Sequence, residues 1–156
     1  MRIGIGYDVH ALVSERKLIL GGVEVPHHKG LAGHSDADVL THAVMDALLG
    51  AAGLGDIGKW FPDADPAYKD INSMTLLQQV MDLIESHHFK IDYMDTVIIA
   101  QRPKIAPYLP QMVKHLAETM NIEESRINIK ATTTEKLGFE GREEGIAAQA
   151  VVLLQE

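Results

Sequence analysis

The segment Gly145 to Leu154 constrains the fold of this chain more than any other stretch. It is almost wholly apolar, with Gln149 as its one polar side chain. A strand that is apolar on both of its faces is typical of the middle of a sheet whose surfaces are covered. The sequence therefore predicts a central strand near the C-terminal end of the chain.

Other segments supply the partners of this strand. The N-terminal segment alternates Ile3, Ile5 and Tyr7 with Gly4 and Gly6, and this period of two is typical of a strand. The two glycines leave room for a close approach to the backbone. Apolar residues recur at helical spacing in further segments, and a pair of glycines between two short apolar runs indicates a hairpin turn. The predicted elements are strands at Arg2–Tyr7, Tyr93–Ala100 and Ile127–Ala131, helices at Asp38–Ala52, Ser73–His87 and Pro110–Asn121, and a hairpin at Lys17–Pro26.

These elements predict an α+β fold, a two-layer sandwich in which a mixed four-stranded sheet carries three helices on one face, plus a small β-hairpin. Because the helices cover one face only, we expect oligomerisation to cover the other. Ser35 or Asp36 is the expected cap of the first helix. The segment 54–70, rich in proline and glycine, is expected to be a long ordered loop.

Composition limits the functions that such a fold can carry. The chain has 156 residues, which suits a single catalytic domain spanning residues 1–156. It contains no cysteine, so a metal must be held by His, Asp or Glu. The net charge of -8 argues against general nucleic-acid binding, and no apolar run has membrane-spanning length. The N-terminus carries no signal-like segment, so we expect a cytoplasmic protein.

Three side chains with metal-ligand chemistry are predicted to meet where the first strand and the first helix come together. Asp8 and His10 are two residues apart, so they project from the same face of a strand. His42 lies near the start of the helix, and Asp46, one turn further on, is a candidate for the carboxylate that orients its imidazole. One carboxylate and two imidazoles leave a coordination position open, as a catalytic zinc site requires. Each of the three is also an ordinary polar residue for the end of an element, and spacing alone leaves both interpretations open.

Two other segments are candidates for phosphate binding. His34 and Ser35 precede the helix, where free backbone N–H groups and the helix dipole favour an anion, and Ser35 could also simply cap the helix. Thr132 to Glu135 offer three hydroxyls and a carboxylate at a strand end, which suit phosphate oxygens and a cation such as magnesium, or merely reflect β-propensity. Arg142 is either a phosphate clamp or the partner of a nearby acid.

Two loops complete the inventory of candidate sites. Ala100 to Ala106 follow a strand and form a rigid loop that could hold a base or a sugar. His27 and His28 are predicted to be a solvated loop, because consecutive side chains point to opposite sides. Taken together, the residues indicate metal-assisted phosphoryl chemistry on a small molecule.

Four motifs occur in one order along the chain. They are Gly6-Tyr7-Asp8-Val9-His10, Gly33-His34-Ser35-Asp36-Ala37-Asp38, Asp56-Ile57-Gly58 with Phe61-Pro62-Asp63, and the run from Lys130 to Phe139. In these motifs the chain resembles the 2-C-methyl-D-erythritol 2,4-cyclodiphosphate synthase family of the non-mevalonate isoprenoid pathway. The resemblance implies a lyase that converts 4-diphosphocytidyl-2-C-methyl-D-erythritol 2-phosphate to the 2,4-cyclodiphosphate with release of CMP.

The resemblance also implies an assembly and roles for individual residues. The family is a homotrimer with sites between subunits and a central channel, here lined by Tyr7, Arg142 and Glu144, where isoprenoid diphosphates can bind. The implied zinc ligands are Asp8, His10 and His42, Glu135 contributes to a Mg²⁺ or Mn²⁺ ion on the substrate diphosphate, and His34 and Thr133 are the implied catalytic residues. Implied substrate contacts are Asp8, His10, His34, Ser35, Asp56, Ile57, Gly58, Phe61, Pro62, Asp63, Ala64, Asp65, Ala100, Gln101, Arg102, Pro103, Lys104, Ile105, Ala106, Thr132, Thr133, Thr134, Glu135, Phe139 and Arg142.

Two rival hypotheses use the same residues differently. Metal-dependent hydrolysis of a phosphate ester by water needs a general base, for which Asp38 and Asp46 are the candidates. A trimeric binding module with a structural zinc ion predicts that His42→Ala abolishes folding as well as metal binding.

Overall fold

A computed structural model describes residues 1–156, in which four strands precede the first helix and each later strand follows a helical segment. The strands are β1 (Arg2–Ser14), β2 (Leu18–Leu20), β3 (Val23–Val25), β4 (Lys29–Leu31), β5 (Lys90–Ile99), β6 (Ile127–Thr132) and β7 (Gly145–Gln155). The helices are α1 (Val39–Ala52), α2 (Ile57–Trp60), α3 (Ser73–Ser86), α4 (Leu109–Met120) and α5 (Gly138–Gly141), and short 3-10 helices lie at Pro66–Tyr68, Ala106–Tyr108 and Glu124–Arg126.

The main sheet has the strand order β4-β1-β7-β5-β6, with β2 and β3 forming a separate two-stranded sheet. Strand β7 lies in its middle, antiparallel to β1 on one side and to β5 on the other, which confirms the central strand predicted from its apolar sequence. Strands β5 and β6 are parallel, so the sheet is mixed and the predicted α+β sandwich is confirmed.

The sheet has five strands rather than the four that the sequence predicts. The extra strand, β4, is three residues long and pairs with the end of β1, where Leu12 lies opposite Leu31. Three residues are too few to show a period of two, and β4 exists only because β1 extends far enough to offer it a hydrogen-bonding edge.

Helix α1 packs directly on the backbone of β1, at the two glycines. A Cβ atom on Gly4 would lie 2.0 Å from the carbonyl oxygen of Ala47, and one on Gly6 would lie 1.9 Å from that of Ala43. No side chain fits between the helix and the strand at these positions. The same face of β1 continues to Asp8, which is thereby brought beneath the start of α1.

The opposite face of the sheet has no helix on it. Ile3 and Ile5 are 72% and 71% exposed, and Tyr7, Val9 and Val151 are also exposed large apolar side chains on this surface. The expectation that one face of the sheet is left without cover within the chain is therefore confirmed. We call this surface the open sheet face.

The start of α1 differs from the predicted one. Its N-cap is Asp38, not Ser35 or Asp36, and the Asp38 side chain accepts a hydrogen bond from the backbone N–H of Thr41. The same buried carboxylate accepts the N–H groups of Gly21 and Gly22 in the hairpin, which ties the β2–β3 turn to the helix. These hydrogen bonds from the hairpin favour Asp38 over Ser35 and Asp36 as the N-cap.

The segment 54–70 is ordered, as expected, but it contains helix α2 and a 3-10 helix. The indole N–H of Trp60 donates to the carbonyl of Leu54, which closes the segment on itself. No helix of the chain is both long and apolar enough to cross a membrane.

Candidate active site

Asp8, His10 and His42 form one cluster of ligand atoms. The Oδ2 atom of Asp8 lies 2.9 Å from Nε2 of His10 and 3.1 Å from Nδ1 of His42. The two imidazole nitrogens are 3.1 Å apart. Strand β1 presents the first two side chains on one face and α1 supplies the third, so the predicted meeting of strand and helix is confirmed.

The chemistry of this cluster fits a divalent cation. The Nδ1 atom of His10 lies 2.8 Å from the carbonyl oxygen of Ala32, which can only accept, so this nitrogen carries the hydrogen. In the neutral ring, Nε2 therefore directs a lone pair at Asp8 and His42. A carboxylate and an imidazole lone pair aimed at one point favour a positive charge between them, and zinc accepts carboxylate and imidazole donors.

The electrostatics of the cluster lead to the same conclusion. In the absence of a metal, burial would raise the pKa of Asp8, but hydrogen bonds and positive charge from the protonated rings of His10 and His42 outweigh it and lower this pKa to about 2. Burial lowers the pKa of the His10 ring, but its hydrogen bond to Asp8 and the charge of that carboxylate outweigh this effect and raise it. The site thus keeps Asp8 ionised and attracts positive charge.

The outer side of the His42 ring contacts two hydroxyl groups. Its Nε2 atom lies 3.0 Å from the Oγ atom of Ser73 and 3.2 Å from that of Ser35. The prediction that Asp46 orients this ring is wrong, because Asp46 instead accepts the backbone N–H of Ile57 at 2.8 Å. The sequence showed no sign of Ser73 as a partner, because Ser73 looks like an ordinary residue at a helix start.

A small cavity of about 40 Å³ lies beside His42. Its lining brings together several of the predicted site residues and adds two that the sequence did not indicate, Tyr68 and Leu76. The predicted residues in this lining are His34, Ser35, His42, Ile57, Phe61 and Asp63. The Nε2 atom of His34 lies 3.2 Å from the carbonyl oxygen of Asp65, which fixes the ring at the edge of the loop.

The backbone at the start of α1 is less available to an anion than expected. The N–H groups of Asp36, Ala37 and Asp38 donate to Ile71 O, Ser35 Oγ and Asp36 Oδ1, respectively. The expectation of free N–H groups is wrong for these three residues, because a backbone carbonyl accepts the first and side chains of the loop accept the other two.

A second, larger cavity of about 800 Å³ lies at the C-terminal ends of β5 and β6. It is lined by all seven residues of the predicted loop 100–106, together with Ala131, Thr132 and Thr133. His27 and His28 also line it, with ring centroids 4.4 Å apart, so the prediction of a simple solvated loop missed their position. The loop that holds them leads into β4, and no short-range pattern in the sequence indicates that the start of this edge strand lies beside the cavity.

In the polar segment after β6, threonine hydroxyls form hydrogen bonds with the backbone of the same segment. The N–H of Glu135 donates to Thr133 Oγ1 at 3.2 Å, and the hydroxyl of Thr134 donates to the carbonyl of Leu137 at 2.5 Å. Arg142 pairs with Glu144 through two contacts of 2.9 and 3.3 Å, so in this structure it is the partner of an acid. Thr134, Glu135, Phe139 and Arg142 are not part of the lining of either cavity.

The two parts of the predicted site are separated within the chain. Strand register places Asp8 opposite Ala148, Ala148 opposite Ile98, and Ile98 opposite Ala131. Three steps between strands amount to about 14 Å. A diphosphate group is far shorter, so it cannot contact the metal cluster and the threonine segment of one chain at the same time.

The fold and the site define an α+β protein with a carboxylate and imidazole cluster that could bind a metal, and with a cavity large enough for a small molecule. The YgbB family model matches residues 1–155, and the chain belongs to this family.

Proteins named 2-C-methyl-D-erythritol 2,4-cyclodiphosphate synthase are similar to this chain over its full length. The protein of Syntrophotalea carbinolica is 63% identical over 156 residues, covering 100% of this chain and 95% of the relative. That of Desulfitobacterium hafniense is 61% identical over 154 residues, covering 99% and 98%. Among solved structures, IspF of Plasmodium falciparum in complex with CDP superposes with a TM-score of 0.87 at 37% identity, covering 98% of this chain and 94% of that one.

Proposed function

We propose that this chain catalyses the reaction for which its relatives are named. It converts 4-diphosphocytidyl-2-C-methyl-D-erythritol 2-phosphate to 2-C-methyl-D-erythritol 2,4-cyclodiphosphate and CMP, in the cytoplasm, as part of isoprenoid precursor biosynthesis. The observation that carries the proposal is the convergence of Asp8, His10 and His42 in a chain that matches these synthases from end to end. All residues act as one catalytic domain, since a single hydrophobic cluster runs through the molecule.

The cavity formed by residues 100–106 and 131–133 holds the cytidine diphosphate part of the substrate. Its volume of about 800 Å³ suits a nucleotide, and the small side chains of Ala100, Ala106 and Ala131 leave space for a flat base. The P. falciparum relative was solved with CDP, which supports this assignment. Residues 56–58 and 61–65 bind the methylerythritol part, supported by Ile57, Phe61 and Asp63 in the small cavity beside His42.

Asp8, His10 and His42 would hold zinc, and Glu135 would contribute to holding Mg²⁺ or Mn²⁺ on the substrate diphosphate. Bound there, the two ions supply positive charge that offsets the repulsion between phosphate groups and the charge on the departing CMP.

The reaction needs no nucleophile from the protein. An oxygen of the substrate's 2-phosphate forms a bond to the β-phosphorus, and the bond from this phosphorus to the bridging oxygen breaks, so that oxygen leaves with CMP. The chain's contribution is to fold the substrate so that the attack is intramolecular. His34 at the metal side and Thr133 at the cytidine side stabilise the charge that develops, while Ser35 binds phosphate oxygens.

The active sites lie between the subunits of a homotrimer. The separation of about 14 Å between the metal cluster and the threonine segment supports this arrangement, because a neighbouring chain can bring the second segment to the first. The open sheet face supplies an apolar surface for the contact, with Ile3 and Ile5 72% and 71% exposed in the single chain. In the trimer, Tyr7, Arg142 and Glu144 line a central channel that accepts isoprenoid diphosphates.

The test is turnover of the cytidine substrate with zinc and magnesium, followed by phosphorus NMR in water enriched in oxygen-18. The expected products are the cyclic diphosphate and CMP, neither of them labelled, because the nucleophile belongs to the substrate. Incorporation of the label into a phosphate product would overturn the proposal in favour of hydrolysis. Protein stripped of metal is the control and should show no turnover.

A further inference from the structure

Asp36 and Ser73 form a hydrogen-bonded pair behind His42. The two carboxylate oxygens of Asp36 accept the backbone N–H of Ser73 at 2.9 Å and that of Asp38 at 3.1 Å. The Ser73 hydroxyl donates to Asp36 Oδ1. Ser73 is fully buried, and Asp36 is partly buried.

This pair determines which nitrogen of His42 carries the hydrogen. A serine hydroxyl has one hydrogen, and the Ser73 hydroxyl gives it to a carboxylate that can only accept. The Ser73 oxygen must therefore accept the hydrogen bond from His42, whose Nε2 lies 3.0 Å away. Ser35 does not fix this direction, because its oxygen accepts from Ala37 N–H and its own hydrogen is not committed.

We infer that Asp36 and Ser73 are positioning residues that hold His42 in the Nε2–H tautomer, so that the lone pair of Nδ1 faces Asp8 and His10. The contact between the loop before α1 and the first residue of α3 thus prepares a ligand on the far side of the ring. Without the Ser73 oxygen the Nδ1–H tautomer becomes available, and it places a hydrogen at the position of the metal. The tautomer rests on the hydrogen bonds alone, whereas its consequence for metal binding rests on the proposed function.

The direct test is nitrogen-15 NMR of the histidine rings in metal-free protein at alkaline pH, where the rings are neutral. Long-range correlations distinguish the two tautomers, and the His42 signals are assigned by their loss in His42→Ala. The expected result is hydrogen on Nε2 of His42, as on Nδ1 of His10. Hydrogen on Nδ1 of His42 would overturn the inference.

The second test compares zinc affinity in Ser73→Ala and Asn72→Ala. Both changes act at the start of α3, since Asn72 caps the helix through Met74 N–H, but only Ser73 contacts His42. We expect Ser73→Ala to weaken zinc binding by about 10- to 100-fold and Asn72→Ala to leave it near the wild-type value. Equal affinities in both variants, or equal losses, would contradict the inference.

Two further outcomes of these experiments can be distinguished from each other. If Ser73→Ala does not fold, the tautomer of the wild-type protein decides the question alone. If the wild-type protein binds no zinc, the proposed metal site fails, while a His42 ring with hydrogen on Nε2 still supports the role of Asp36 and Ser73.

Discussion

At the scale of single residues, His42 is the point on which the site depends. Its ring contacts Asp8 and His10 from β1 through one nitrogen and two serine hydroxyls through the other. The sequence predicted the first two partners, because a spacing of two on a strand places Asp8 and His10 on one face. It could not predict Ser73, which lies 31 residues from His42 along the chain and meets it only through the packing of α3 on α1.

Replacing His42 with alanine separates a catalytic zinc site from a structural one. We expect His42→Ala to lose zinc and turnover but to keep wild-type helicity and its oligomeric state, because the apolar side of α1 is buried against the sheet without the ring. Zinc content, circular dichroism and sedimentation measure the three properties. His115→Ala, whose ring contacts Gly22 O away from the cluster, is the control and should keep all three. Loss of folding in His42→Ala alone would favour the structural role.

At the scale of elements, the contact between α1 and β1 positions the site. Glycines on one face of β1 allow the helix to lie on the strand, and the same face continues into the metal ligands. The sequence predicted both the strand and a close approach at Gly4 and Gly6. It did not predict that Asp38 caps the helix, because two of the amides that bind this carboxylate come from the hairpin, which is distant in sequence.

Alanine in place of Gly6 or Gly50 tests the close contact between α1 and β1. Gly6→Ala places a Cβ atom 1.9 Å from a helix carbonyl and should lower the free energy of unfolding by about 3 kcal/mol or more. In Gly50→Ala the nearest atom is 3.9 Å away, and the higher helix propensity of alanine should raise the free energy by about 0.5–1 kcal/mol. Urea denaturation measures both values. Similar changes in the two variants would show that the packing at Gly6 does not matter.

At the scale of the whole molecule, the single chain is incomplete in two respects. One face of its sheet is apolar and exposed, and the two halves of its proposed active site are about 14 Å apart. The proposed assembly of three chains would answer both, since the exposed apolar surface and the two separated segments belong to the same sheet.

A charge on the open sheet face should prevent assembly. Ile5→Lys is expected to give a monomer without turnover that still binds zinc, because all three ligands come from one chain. Light scattering measures the mass, and metal analysis measures the zinc. Gln78→Lys, on the exposed side of α3, adds the same charge elsewhere and should remain a trimer. An active monomer of Ile5→Lys would place the complete site within one chain.

Mixed trimers provide a test of sites shared between subunits. His42→Ala and Thr133→Ala should each be inactive, but after joint refolding about a quarter of the sites in a random mixture combine an intact His42 with an intact Thr133. Activity should then appear in the mixture although neither variant is active alone. A mixture that stays inactive while forming trimers would show that both residues must come from the same chain.

Local patterns were enough to predict the apolar central strand, the two glycines of the first strand, and the positions of Asp8 and His10 on one strand face with His42 near a helix start. These features depend on neighbours a few residues apart, which periodicity records. Four features could be seen only in the folded chain: the edge strand β4, the cap at Asp38, the hydroxyl groups behind His42, and the separation of the metal cluster from the threonine segment. Each of these is a contact between segments distant in the chain, and its formation depends on how whole elements pack rather than on local spacing.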